Sequence, residues 1–202
     1  MNSTFPDSSI IAAVGEGIYW GSIVLLVTAS LVLSFITTRS PKRVLVYVAA
    51  GTLALALLMA SLPGPNSPTF VAVILGVVTV ALATVGGGPA VQVVLVLATR
   101  GSLTNGFYGG ILVADRDPAS GVSTTHEILR GGTTIGYLER LATAGAIVAG
   151  FPAAIAVLVA IKSVGRFSEL DVAEARERFI IGTLVSLIWA AACAGVFYLA
   201  TT

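Results

Sequence analysis

Polar and apolar residues fall in long blocks along this chain rather than in short periods. Gly17 to Thr38 is a run of 22 residues without a charge, opened by Tyr19 and Trp20. Val44 to Leu62 is a second such run, of 19 residues, and Phe70 to Thr99 a third, of 30. A helix that crosses a bilayer needs about 20 mostly apolar residues. Aromatic residues at the edge of such a run suit the headgroup level. The first two runs therefore predict two spans, 17–38 and 44–62. Arg39, Pro41, Lys42 and Arg43 separate them, and the turn Pro63, Gly64, Pro65, Asn66, Pro68 ends the second, because proline removes a donor and fixes φ.

The third run is too long for one straight span: 30 residues would measure about 45 Å against a hydrocarbon core of about 30 Å. Gly86-Gly87-Gly88-Pro89 divides it. The expectation is a third span over 70–85, a break at the glycines, and a short interfacial or re-entrant helix over 90–99. Residues 100–134 form the one long polar segment, rich in turn signals such as Asn105-Gly106 and Asp117-Pro118. They read as a loop, with one short strand at Ile111–Ala114 and a helical turn near Thr125–Leu129.

Ile135 to Ile161 is apolar apart from Glu139 and Arg140, and Gly150-Phe151-Pro152 divides it. Charge decides between one kinked helix and two short ones. All 11 Lys and Arg lie in three groups: Arg39, Lys42, Arg43; then Arg100, Arg116, Arg130, Arg140; then Lys162, Arg166, Arg176, Arg178. Cytoplasmic loops carry the excess of Lys and Arg. All three groups share one side only if the chain goes out and back around Gly150. A hairpin of 135–150 and 152–163 follows, then a last span over 179–200. The fold class is an all-α polytopic bundle, a single membrane domain over 1–202 of about six spans, with both termini outside and loop 100–134 inside. The segment before the first span lacks the basic start of a signal peptide, and the run after it is too long for one; it is expected to stay attached.

Composition agrees. Hydrophobic residues make up 56% of the chain and charged ones 10%, against about 25% charged in soluble domains. A net charge of +1 gives no field for nucleic acid. The one cysteine, Cys193, sits in an apolar stretch and reads as a core residue.

Three segments carry a resemblance: Gly131-Gly132-Thr133-Thr134-Ile135-Gly136-Tyr137-Leu138-Glu139-Arg140, Lys162-Ser163-Val164-Gly165-Arg166-Phe167-Ser168-Glu169-Leu170, and Glu177-Arg178-Phe179-Ile180-Ile181-Gly182-Thr183-Leu184. This series resembles a family of bacterial, notably actinobacterial, multi-pass membrane proteins of unknown function. The resemblance implies a bacterial inner-membrane protein and assigns no activity.

The candidate site is the set of charges at the hairpin ends: Glu139, Arg140, Lys162, Arg166 and Arg178. Charges near the bilayer are costly, so their clustering has a cause. One is an ion-pair network in which Glu139 pairs with Lys162, Arg166 or Arg178; the other is a basic site for an anionic lipid or phosphorylated ligand. Gly86, Gly87 and Gly88 are a second candidate, either a helix break or amides that hold an anion. Asp115-Arg116-Asp117 is weak evidence for a metal, and His126 has no ligand spacing around it; neither a metal nor a cofactor is expected. Gly182, Ser186, Ala190 and Ala194, and also Ala142, Ala146 and Gly150, recur at intervals of four. Such stripes allow close helix packing or self-association. No nucleophile or acid–base set stands out. The expected function is a non-enzymatic component or scaffold of the bacterial envelope, with a membrane partner or a second copy. The alternative is a small transporter or anionic-lipid binder.

Overall fold

The computed structural model describes residues 8–98, 111–116, 123–128, 132–165 and 173–202. Six helices run in the order α1 (Ser8–Arg39), α2 (Arg43–Ala60), α3 (Thr69–Ala98), α4 (Gly132–Val148), α5 (Ala154–Val164) and α6 (Ala173–Thr201). Between α3 and α4 lies an antiparallel pair, β1 (Ile111–Arg116) and β2 (Ser123–Ile128). The all-α bundle expected from the sequence is present. Four helices, α1, α2, α3 and α6, are long and apolar enough to cross a membrane. Helices α4 and α5 have 17 and 11 residues, so they measure about 25 and 16 Å.

The long helices pair as their polar interruptions dictate. Helices α1 and α2 run antiparallel across the Arg39–Arg43 turn. Ser30 Oγ donates to the Ala49 carbonyl at 2.8 Å, and Tyr19 OH to the Met59 carbonyl at 3.1 Å. Tyr19 also lies over the Pro63–Pro68 turn, where a Cβ on Gly64 would meet its hydroxyl at 2.6 Å. Helix α6 lies antiparallel on α3: Gly76 faces Phe197 at one end and Gly182 faces Val91 at the other. In the α6 stripe, Ser186, Ala190 and Ala194 are buried, so it serves internal packing. On α4 the buried face is Glu139, Arg140, Thr143 and Ala144, while the expected stripe of Ala142 and Ala146 is only half-buried.

Three expectations need correction. Helix α3 is continuous through Gly86–Pro89, so there is neither a break after residue 85 nor a separate helix over 90–99. Helix α1 begins at Ser8 rather than near Gly17, because nothing in Ile10–Val14 stops a helix once it is nucleated. Thr125–Ile128 belongs to β2 and not to a helical turn; β-branched Thr124 and Thr125 favour the extended form.

The turn between α4 and α5 follows from its sequence. Gly150 adopts φ +75°, the left-handed conformation that glycine accepts without a Cβ penalty. Its N–H bonds the Ile147 carbonyl, and the Phe151 N–H bonds that of Ala146. This is the Schellman pattern that closes a helix C-terminus. Pro152 brings no donor, and the amides of Ala154, Ile155 and Ala156 bond the carbonyls of Phe151, Pro152 and Ala153. A turn that satisfies its own donors is suited to a place with little water.

Candidate functional site

The site begins with α3. Pro89 has no N–H, so the Val85 carbonyl loses its helix donor, and Gly86–Gly88 weaken the same turn. Neighbouring helices donate to two other carbonyls of the same stretch. Trp189 of α6 donates Nε1–H to the Leu82 carbonyl at 3.2 Å, and Arg140 of α4 donates Nε–H to the Thr84 carbonyl at 2.9 Å. Such outside donors are why Gly and Pro are tolerated in membrane helices.

The glycines also make room for these side chains. A Cβ on Gly86 would meet the Trp189 ring at 2.9 Å and Ser34 Oγ at 2.8 Å, and one on Gly87 would meet Arg140 Nε at 2.8 Å. Gly88 is different, since its nearest neighbour would be 3.9 Å away. Gly86 and Gly87 are thus a notch in α3 that receives one side chain from α6 and one from α4.

Arg140 is 4% exposed. Beyond its bond to Thr84, its Nη1 reaches Ser186 Oγ at 3.4 Å, and its guanidinium lies 5.1 Å from the Tyr137 ring centroid. Gly136 leaves space for Nη1, which a Cβ there would meet at 3.1 Å. Helix geometry gives the depth of this wedge. Arg39 lies 20 residues beyond Tyr19 on α1 (39 − 19), a rise of about 30 Å, which matches the hydrocarbon core. Ser34, beside Gly86, is five residues before Arg39 (39 − 34), so the wedge lies about 7–8 Å along α1 from Arg39, on the Tyr19 side.

Glu139, the neighbour of Arg140, is 8% exposed. Its Oε2 pairs with Lys162 Nζ of α5, and Lys162 also lies 5.4 Å from the Phe179 ring centroid on α6. Of the three basic partners expected for Glu139, the structure brings Lys162. Glu139 Oε1 and, one turn on, Thr143 Oγ1 are buried without a hydrogen-bond partner among the described residues. Glu139 and Arg140 lie in the middle of α4 rather than at its start, because that helix begins at Gly132. A carboxylate deep in the bundle, which the sequence does not suggest, is therefore present. Arg178, 6% exposed, lies near the start of α6.

Arg166 and Asp117 lie outside the described residues; of Asp115 and His126 the backbone alone is described, on β1 and β2. Trp189, Ser186, Thr84 and Thr143 were not legible as members of the site. The one signal was Trp189 itself, an indole N–H inside an uncharged run that must find an acceptor once buried. The four long apolar helices and the chain's mean hydropathy of +0.97 mark an integral membrane protein. No family model, curated protein or solved structure matches the chain.

Proposed function

We propose that this chain is a non-enzymatic structural component of a bacterial envelope membrane, with both termini outside, that offers α5 and the adjoining face of α3 to a membrane partner. The observation that carries the reading is the state of α5. Its sequence is apolar from Ala154 to Ile161, yet none of its residues is buried, and Val157, Ile161 and Val164 are 59%, 65% and 78% exposed. At about 16 Å it is too short to cross the core alone. It packs chiefly on α4, with the Lys162–Glu139 pair as its polar tie. Beside the hairpin, Gly76, Val80, Ala81, Thr84 and Leu141 line a groove of about 500 Å³. Small residues along such a groove let a second backbone approach closely.

The charged cluster supports a structural role. Arg140 directs its donors to Thr84 and Ser186, and Glu139 holds Lys162, so these groups bind helices to one another. The three basic groups support the orientation. The test is photocrosslinking in native membranes, with a photoreactive residue at Val157 or Ile161 and a control at Leu25, which is 69% exposed on α1. Adducts of one discrete protein mass at Val157 and Ile161, absent at Leu25, are expected. Lipid adducts alone at all three positions would overturn the reading.

A further inference from the structure

We infer that the groove between the α1–α2 turn and the lower half of α3 is a binding site for the headgroup of an anionic phospholipid. Thr37, Lys42 and Arg43 form one wall of this groove, and Gln92, Val93 and Val96 of α3 form the other. Its volume is about 160 Å³, below the roughly 300–1,000 Å³ of sites that enclose a whole small molecule. A headgroup held by its phosphate, with its chains left in the bilayer, fits that size.

Charge selects the ligand. Lys42 and Arg43 are both exposed, and the Lys162–Glu139 ion pair lies elsewhere in the bundle. Among the described residues neither has an acidic partner, so two cations face one pocket. Helix α2 begins with these cations and has no acid in its first turn, so the positive end of its dipole adds to their field. An anion relieves that repulsion, and the Arg43 guanidinium can engage a phosphate through two N–H groups.

Depth selects the lipid as the source. Lys42 and Arg43 follow Arg39, the residue that marks the basic boundary of the apolar layer on α1. Phosphates of the inner leaflet lie at that level, and basic side chains there attract anionic lipids. The groove joins the cations to apolar Val93 and Val96, so one site meets a phosphate and the start of an acyl chain together.

The experiment uses the full chain in neutral phosphatidylcholine micelles, with phosphatidylglycerol or inorganic phosphate added. Native mass spectrometry reads lipid retention, and thermal unfolding without added lipid checks that each variant is folded. The wild type should retain one phosphatidylglycerol and gain melting temperature with it, but not with phosphate. The double variant Lys42→Gln/Arg43→Gln should lose at least tenfold in retention. Gln92→Trp, which fills the groove and leaves both cations in place, should lose as much. Arg176→Gln, an exposed basic residue on another helix, should retain the lipid. Full retention in Gln92→Trp, an equal loss in Arg176→Gln, or an equal response to inorganic phosphate would each overturn the site.

Discussion

Three consecutive glycines in α3 have unequal roles, and the difference can be measured. An alanine at a helical glycine gains up to about 1 kcal/mol from propensity. At Gly88 that gain is opposed by nothing closer than 3.9 Å, so Gly88→Ala should be neutral or stabilising. At Gly87 the new methyl group would press on Arg140 midway along its side chain, 2.8 Å from Nε, where the bond to Thr84 holds it. Overpacking of a fixed neighbour costs about 1–3 kcal/mol, so Gly87→Ala should lower the melting temperature in detergent. Arg140→Ala in the Gly87→Ala background should then cost less than in the wild type, since the clash goes with the side chain. Equal melting temperatures for Gly87→Ala and Gly88→Ala would contradict the notch. The sequence shows three glycines and a proline, and local chemistry reads that combination as a break. What decides the matter is the pair Trp189 and Arg140, from helices that begin more than 40 residues later (132 − 89 = 43 for α4), and no local pattern contains them.

At the level of elements, hairpin α4–α5 shows how far charge placement reaches. The positions of Lys162 and Arg166 required the chain to turn back near Gly150, and the Gly150-Phe151-Pro152 sequence supplies that turn. The resulting register puts Glu139 against Lys162. Removal of either partner leaves the other charged in a poorly hydrated place, which is worse than removal of both. Glu139→Gln and Lys162→Met should each destabilise by less than the ~3–5 kcal/mol of a fully buried pair, because Lys162 keeps 17% of its side chain exposed. The double change should recover part of the loss. Because none of the residues of α5 is buried, the loss should be local: amide exchange should rise over Ala154–Val164 and stay unchanged in α2. Additive losses across the cycle would reject the coupling. The depth of Glu139 was not legible, because Gly132-Thr133-Thr134 looks like loop, yet it forms the first turn of α4.

For the whole molecule, hydropathy and charge made the bundle and its order legible, while the start of α1 and the unity of α3 were not. A window of apolar residues marks where lipid is tolerated, and a helix continues past that window wherever its backbone has no better partner. The orientation gives a direct test, on a background that lacks Cys193. Cysteines at Pro65 and Thr201 should react with an impermeant thiol reagent in whole cells, and cysteines at Ser40, Ser120 and Ser168 should not. Labelling at Ser168 in intact cells would place the end of α5 outside and invert α6. The foreign donors on α3 also have a consequence for how the chain is made. A ribosome delivers α3 before α4 and α6 exist. During that interval the glycine-rich turn sits in or near the bilayer with a proline gap in its ladder, and with no indole or guanidinium to support it. A nascent chain that ends before Gly132 contains every residue of α3 but neither donor. Helix α3 therefore gains both donors only after α4 and α6 have followed it, and of the described helices α6 is the one that locks the bundle.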